Sequence, residues 1–209
     1  MAKILRGCHV VTAAVAVVLL LVATGCSSNP VSSRGAGDAP DGFAACPDPV
    51  DSPAQEENSG AGDPDRRLPE LSLRCMDGSG AMFPLRRSLG VPLVINLWGS
   101  WCAPCGKELP AFAELDKAAA GKVVVMGVVI EDSAARADEA AQELGVTFPN
   151  LYDRSGALRR ALGVNALPVT LFVDADGELR ELYAGPILDA ATLRQKVGRQ
   201  FRVEVGAGR

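Results

Sequence analysis

Apolar and polar positions alternate along the chain in blocks that predict strands and helices in turn. Three nearly continuous apolar runs occupy residues 92–98 (PLVINLW), 122–130 (KVVVMGVVI) and 169–173 (VTLFV). Runs of this kind are typical of central strands that are covered on both faces. A shorter strand is predicted over 71–75, with a partner at 82–83 beyond an Asp-Gly turn.

Helical patterns separate and follow these strands. They predict helices over 103–120, 133–145, 155–162 and 189–201. The second of these ranges opens with a serine and ends with a glycine, which are common capping residues. The last strand, 178–183, follows its predecessor after so few residues that the two form a hairpin. This order of elements predicts an α/β fold with a mixed sheet between helices.

The first 25 residues have the pattern of a secretory signal peptide. Lys3 and Arg6 precede an uncharged apolar run of 14 residues, 10–23, whereas a membrane-spanning helix needs about 20. The run leads into A-T-G-C, which resembles a bacterial lipobox ending at Cys26. We expect cleavage to leave Cys26 as a lipid-modified N-terminus on the cell membrane; an ordinary cleaved signal and an uncleaved anchor are the alternatives. All three place the rest of the chain outside the cytoplasm.

Residues 26–67 differ in composition from the remainder of the chain beyond them. They are rich in Pro, Gly, Ser and Asp, and Phe43 is their only aromatic residue, so they bury too little apolar surface to offset the entropy of ordering. We interpret this segment as a flexible tether. Residues 68–205 form the predicted folded domain, which is long enough for one hydrophobic core.

Charge and histidine content exclude several functions. The formal net charge is −4, and loss of Lys3 and Arg6 with the signal changes it to −6, so the mature chain lacks the basic patch expected of a nucleic-acid-binding protein. The only histidine, His9, also lies in the signal. Catalysis by a Cys-His pair or a Ser-His-Asp triad, haem ligation by histidine and Cys/His zinc sites are thereby excluded. We expect a monomer that needs no metal and no cofactor.

The cysteine count indicates two pairs. Disulfides persist outside the cytoplasm, and six cysteines without Cys8 and Cys26 leave an even number. The remaining four are Cys46, Cys75, Cys102 and Cys105.

Cys102 and Cys105 form a Cys-x-x-Cys motif within WGSWCAPCG, residues 98–106. A structural zinc site needs four ligands, commonly from two such motifs, and a structural disulfide across two residues gains little chain-entropy stabilisation. The motif lies where a buried strand meets a helix, and a helix N-terminus stabilises a thiolate. We therefore favour redox chemistry, in which Cys102 forms a mixed disulfide with a partner and Cys105 resolves it. Trp98 and Trp101 can cover the flank of the redox site. For Trp98, ordinary core packing is an equal alternative to this role.

The sequence N-L-W-G-S-W-C-A-P-C-x-x-E-x-P at 96–110 resembles the thioredoxin superfamily. More narrowly, it is similar to the TlpA/ResA-like membrane-tethered thiol-disulfide oxidoreductases, which include reductases of cytochrome c maturation. The similarity extends over 68–201, and the extra helix between 130 and 165 resembles the insertion that this family has before its cis-proline strand. The resemblance implies a thioredoxin-like fold, with a central mixed sheet flanked by helices, and thiol-disulfide oxidoreductase activity.

The resemblance also implies roles for individual residues. Cys102 matches the nucleophile and Cys105 the resolving cysteine. Glu108 matches a carboxylate that is thought to tune the thiols or to shuttle protons, and a surface helix charge is its alternative. Asn96 stands where minimal thioredoxins have a buried aspartate; because an amide cannot accept that proton, Glu108 becomes the acid/base candidate.

Pro168 matches the superfamily's cis-proline, which faces the Cys-x-x-Cys motif. A cis bond at this position exposes the backbone of Leu167, so that an extended substrate peptide can form hydrogen bonds beside the thiols. We assign Trp101, Pro104, Leu167 and Pro168 to the substrate-binding surface.

Cys46 and Cys75 are 29 residues apart. We expect a structural disulfide that pins the end of the tether to the domain. A second redox-active pair and free thiols are the alternatives.

Together these features predict a lipid-anchored, extracytoplasmic oxidoreductase. The resemblance implies that it reduces disulfides in apocytochrome c before haem attachment, supplied by a membrane thiol donor of the CcdA/DsbD type. One alternative is a DsbE-like oxidant that forms disulfides in exported proteins. Another is a non-catalytic adaptor or solute-binding lipoprotein on the same scaffold.

Overall fold

The computed structural model describes residues 42–49 and 66–206 of the chain. The predicted signal peptide, the predicted lipidation site at Cys26 and most of the predicted tether lie outside the described residues. Within the described ranges, no helix combines the length and the apolar character needed to cross a membrane.

Within the described residues, seven strands form one mixed sheet in the order β2-β1-β5-β4-β3-β6-β7. The central strands β3, β4 and β5 are parallel, whereas β1, β2, β6 and β7 join the sheet through antiparallel pairs. The elements in chain order are β1 (Ser72–Cys75), β2 (Met82–Pro84), β3 (Leu93–Trp98), α1 (Ala103–Ala119), β4 (Val124–Ile130), α2 (Ala134–Glu143), β5 (Asn150–Asp153), α3 (Ala157–Ala161), β6 (Val169–Val173), β7 (Leu179–Tyr183) and α4 (Ala190–Phe201). The predicted α/β class, with a mixed sheet flanked by helices, is confirmed.

The central strand β3 supplies two core layers because successive side chains point to opposite faces of a sheet. Val94 and Trp98 pack in the layer that holds α1, α2 and α4. Ile95 and Leu97 pack in the opposite layer, which includes Leu158 of α3. All six residues of β3 are buried, as expected for a strand covered on both faces.

The sequence pattern missed strand β5. Its four residues include two buried polar side chains, Asn150 and Asp153, which hide the apolar signal of a core strand. Asn150 Oδ1 accepts a hydrogen bond from Trp98 Nε1 at 2.8 Å, and Gly127 of β4 makes room for it, since a Cβ there would overlap the Asn150 side chain. The Asp153 carboxylate accepts two backbone N–H groups at the start of α3, both at 2.9 Å. These contacts compensate the burial of both polar groups.

Residues 42–49 differ from the tether interpretation. Phe43 is buried in the same core layer as α1, and Ala44 N–H donates to Thr147 O at 2.8 Å. Cys46 is joined to Cys75, the last residue of β1, by a disulfide with an S–S distance of 2.09 Å. This segment is therefore part of the packed structure, because one aromatic side chain, one backbone hydrogen bond and one covalent bond hold it against the domain.

We expect the Cys46–Cys75 disulfide to contribute to the free energy of unfolding, because it restricts the unfolded chain. Closure of a loop of 29 residues corresponds to roughly 3–4 kcal/mol on the chain-entropy model. The double variant Cys46→Ser/Cys75→Ser should lose stability of this order in urea unfolding without added reductant. The matched control is Cys102→Ser/Cys105→Ser, whose disulfide joins residues only 3 apart and should contribute less. Equal losses in the two double variants would contradict the loop-length argument.

Candidate active site

The Cys-x-x-Cys motif lies at the junction between β3 and α1. Strand β3 ends at Trp98, and Cys102 is the N-cap residue of α1, with φ −93° and ψ 92°. Cys102 Sγ accepts a hydrogen bond from Cys105 N–H at 3.3 Å, and the two sulfurs form a disulfide of 2.06 Å. Pro104 lies in the first turn, where an N–H group has no partner within the helix. The sulfur of Cys102 thus lies where the helix dipole favours negative charge.

The two cysteines differ in exposure. Cys102 retains 6% of its accessible surface and Cys105 retains none. Of the two cysteines, only Cys102 is therefore in contact with solvent. This asymmetry fits the predicted roles, in which Cys102 exchanges with the partner and Cys105 acts from inside the protein.

A short loop before the motif is fixed by the end of β4. Ser100 N–H donates to the Asp132 carboxylate at 2.5 Å, and Trp101 Nε1 donates to Ile130 O at 3.3 Å. Trp101 is nevertheless 52% exposed, so it presents an aromatic surface beside Cys102. The two tryptophans differ in burial, since Trp98 is fully buried and donates a hydrogen bond within the core. Sequence reasoning missed Asp132, whose contact with residue 100 depends on the fold.

The Leu167–Pro168 peptide bond is cis. Val169 of β6 lies opposite Leu97 of β3, so in this antiparallel pair Pro168 comes next, level with Trp98 at the end of β3. The predicted binding residues therefore lie together at the carboxyl end of β3, where α1 begins. Leu167 is partly buried and packs against both core layers.

Glu108 is buried rather than on the helix surface, with 1% of its accessible area exposed. Its Oε1 accepts from Asn96 Nδ2 at 2.7 Å, and its Oε2 accepts from Leu188 N–H at 3.2 Å. Burial raises the pKa of the Glu108 carboxyl group above its usual value, and these two hydrogen bonds offset part of that rise. Glu108 lies three residues after Cys105, hence on the same face of α1. The contact from Leu188 was missed because nothing in the sequence relates residues 80 positions apart.

The second disulfide lies away from this site. Cys75 belongs to β1, which is separated from β3 by β5 and β4. Asp77 Oδ2 accepts from Cys46 N–H at 3.3 Å, and in the described part of the chain Cys46, Cys75 and Asp77 form the only group of three side chains spaced for metal ligation. Two sulfurs that are bonded to each other cannot act as thiolate ligands.

Comparisons with known proteins agree with this geometry. Residues 61–196 match the model of the Redoxin family. Thiol-disulfide oxidoreductase ResA of Geobacillus thermodenitrificans (strain NG80-2) is 30% identical over 118 residues, which cover 56% of this chain and 67% of that protein. Thiol:disulfide interchange protein DsbE of Pseudomonas fluorescens biotype C is 32% identical over 117 residues, covering 56% of this chain and 64% of that protein.

Solved structures of thiol-disulfide oxidoreductases and thioredoxin-like proteins are also similar to this chain. The structure of MTB DsbF aligns with a TM-score of 0.55 at 26% identity, over 63% of this chain and 95% of that chain. The exposed lipoprotein thioredoxin Etrx1 of Streptococcus pneumoniae strain TIGR4 aligns with a TM-score of 0.54 at 28% identity, over 63% of this chain and 99% of that chain. The thioredoxin-like fold and the class of activity expected from the motif are confirmed.

The family match over 61–196 includes the strand-to-helix junction that holds the cysteine pair. The chain therefore belongs to the Redoxin family and is a thioredoxin-like thiol-disulfide oxidoreductase of the ResA/DsbE type that acts on protein thiols.

Proposed function

We propose that this protein reduces disulfides in exported proteins, with Cys102 as the attacking residue, Cys105 as the resolving residue and Glu108 as the proton acceptor. The observation that carries the proposal is the arrangement at the start of α1: a nearly buried sulfur at the N-cap, a fully buried second sulfur and a buried carboxyl group on the same helix face. Reduction of apocytochrome c before haem attachment is the specific role that the resemblance to cytochrome c maturation reductases supports.

The proposed reaction moves two electrons from the protein to its substrate. The Cys102 thiolate attacks one sulfur of the substrate disulfide, and the other substrate sulfur leaves as a thiolate that takes up a proton. The Cys105 thiol then gives its proton to Glu108 and attacks Cys102 Sγ, which releases the second substrate sulfur as a thiolate that also takes up a proton. The products are a substrate dithiol and the Cys102–Cys105 disulfide, which is the form in this structure. A membrane thiol donor of the CcdA/DsbD type would restore the dithiol.

Local charges favour a reductant over an oxidant. A strong oxidant needs a strongly stabilised reduced form. Neither residue between the two cysteines, Ala103 or Pro104, carries a charge that would add to the effect of the helix dipole. Ionised Glu108 would in addition repel a nearby thiolate. The disulfide form is therefore relatively favoured, which corresponds to a low reduction potential.

The substrate would bind across the edge formed by Trp101, Pro104, Leu167 and Pro168. Trp101 offers exposed aromatic surface, and the backbone beside Pro168 offers hydrogen bonds to an extended peptide. Attachment of lipid to Cys26 would hold the domain at the outer side of the cell membrane. The lipobox-like sequence supports this location, and the structural neighbour Etrx1 is described as an exposed lipoprotein.

The reduction potential of the Cys102–Cys105 pair tests the direction of electron flow. We expect a value below about −220 mV, closer to thioredoxin at about −270 mV than to DsbA at about −120 mV. The mature protein is equilibrated in glutathione or dithiothreitol buffers, and its oxidised fraction is measured by thiol alkylation and mass spectrometry. The Cys46→Ser/Cys75→Ser variant serves as control, because its value should equal that of the wild type. A potential of about −120 mV would identify the DsbE-like oxidant instead.

The roles of the two cysteines are tested by trapping. Cys105→Ser should accumulate a mixed disulfide between Cys102 and a substrate peptide that contains an internal Cys-x-x-Cys disulfide, because the resolving thiol is missing. Cys102→Ser should accumulate at least about tenfold less, since Cys105 has no exposed surface. Mass spectrometry of the adducts gives the measurement. Equal trapping by the two variants would contradict the assignment of the two roles. Full function of the Cys102→Ser/Cys105→Ser variant in cells would identify a non-catalytic adaptor.

Glu108→Gln should slow the resolving step by about 10²-fold near neutral pH, because the variant cannot accept the Cys105 proton. Stopped-flow measurement of the mixed-disulfide decay gives this rate. Stability provides an independent readout. Burial raises the folded-state pKa of Glu108 above 4.5, so its contribution to stability is complete below 4.5 and is lost as the pH rises through the raised pKa.

The difference in unfolding free energy, wild type minus Glu108→Gln, should accordingly be constant below pH 4.5 and decrease at higher pH. Urea unfolding at a series of pH values measures this difference. Glu114→Gln on the exposed side of α1 is the matched control and should leave the resolving rate unchanged. A rate unchanged by Glu108→Gln would remove Glu108 from the proposed reaction.

A further inference from the structure

Asn96 has an unusual environment for a buried amide. It lies within β3 with no exposed surface, and its Nδ2 group donates to Glu108 Oε1 at 2.7 Å. Its Oδ1 atom is buried and has no hydrogen-bond partner among the described residues. A buried polar atom without a partner costs free energy, so the position of this amide calls for a physical reason.

Asn150 provides the contrast within the same sheet. It is equally buried, but both ends of its amide are held: Oδ1 accepts from Trp98 Nε1 at 2.8 Å, and Nδ2 donates to Phe148 O at 3.0 Å. Half a turn of the Asn150 amide would break both bonds. For Asn96 only the end that faces Glu108 is bonded, so no hydrogen bond at the other end opposes a half turn.

The Glu108 carboxyl group needs opposite partners in its two protonation states. The ionised group only accepts hydrogen bonds, whereas the neutral group has one O–H donor. An amide has a donor and an acceptor of nearly the same size and shape. After half a turn about χ2, Asn96 Oδ1 would take the place of Nδ2 and could accept an O–H bond from Glu108 Oε1.

We propose that Asn96 is a positioning residue that holds the Glu108 carboxyl group in both protonation states, by donating from Nδ2 to the ionised form and accepting at Oδ1 from the neutral form. This inference rests on the proposed role of Glu108 in proton transfer. Leu188 N–H donates to Oε2, so the proton of the neutral form belongs on Oε1, the oxygen that faces Asn96. The carboxyl group keeps its place while the proton arrives and leaves.

The other ionisable groups around Glu108 do not replace this partner. Cys105 on α1 is the proton donor in the proposed reaction. Burial, followed by the charge of Glu108, raises the pKa of Tyr183 on β7, so this phenol stays neutral, and its hydroxyl donates to Pro186 O at 2.8 Å. Lys196 on α4 is paired with Glu181 at 2.5 Å and lies 4.0 Å from the centre of the Tyr183 ring. Asn96 is thus the side chain that the structure places in hydrogen-bond contact with Glu108.

The orientation of the amide can be observed by NMR in the wild-type mature protein, in both redox forms. Above the pKa of Glu108, nuclear Overhauser effects should connect the Asn96 Nδ2 protons with the Glu108 side chain. Below this pKa they should disappear, and the Asn96 Cγ resonance should shift with the same midpoint as the Glu108 carboxyl carbon. The Asn150 amide is the internal control and should keep its contacts throughout. Contacts of Asn96 that persist in both states would overturn the proposal.

The Asn96→Ala variant tests whether Asn96 binds both protonation states of the Glu108 carboxyl group or only the ionised state. Loss of a donor that serves only the ionised form would make Glu108 a weaker acid by about tenfold or more, and this outcome would overturn the proposal. In the orientation of this structure the Asn96 amide lowers the pKa of Glu108, and the turned amide would offset this effect by stabilising the neutral form. Loss of a partner that serves both forms should therefore change the dissociation constant by less than about threefold, and should lower the resolving rate both above and below the pKa. Thr170→Val, directly opposite Asn96 on β6, is the matched control and should change neither quantity.

These measurements also distinguish this inference from the proposed function. The NMR titration requires no turnover. A normal exchange rate in Glu108→Gln would refute the proton-transfer role, whereas a fixed Asn96 amide in an active enzyme would refute only the positioning role.

Discussion

The structure depends on one junction, at which a fully buried strand ends and the next helix begins on a cysteine. Strand β3 is covered on both faces and bonded to a strand on either side, so its end has a fixed position. The N-cap of α1 comes within four residues of that end, and the sulfur of Cys102 takes the place of a capping oxygen by accepting a backbone N–H group. The same N–H groups that need a cap also stabilise a thiolate. Fold and chemistry therefore use one set of unsatisfied donors.

The reactive groups on α1 differ in how deeply they are buried. Cys105 and Glu108 lie on the inward face of α1, and Cys102 caps its N-terminus with a small part of its surface exposed. A thiol in an apolar interior keeps its proton unless a base lies within reach, and Glu108 is a base whose pKa burial has raised toward that of a thiol. A surface carboxylate at the same sequence distance would lack this property, because solvent would hold its pKa at the ordinary value.

Sequence reasoning reached the fold class and the class of activity because both follow from local patterns: continuous apolar runs for central strands, and a Cys-x-x-Cys motif at the start of a helix. It missed the features that depend on contacts between distant residues. Strand β5 was missed because Asn150 and Asp153 interrupt its apolar pattern and find their partners only in the folded sheet. Phe43 was assigned to the tether by composition, although one aromatic residue beside a disulfide is enough to hold a short segment in place. The hydrogen bond from Leu188 to Glu108 joins a loop and a helix in a way that no spacing rule describes.

The choice of an amide at position 96 determines how protons are distributed in the site. Two carboxyl groups at 2.7 Å would share one proton, and their titrations would be coupled, so that neither could be set independently. With Asn96 in contact with Glu108, a single carboxyl group carries the charge, and its pKa is governed by burial and by neutral hydrogen-bond partners. The negative charge near the resolving thiol is then limited to one unit, present only after Glu108 has ionised. In the proposed reaction, proton transfer from Cys105 to Glu108 leaves the net charge of the interior unchanged, because the carboxylate becomes neutral as the thiolate forms.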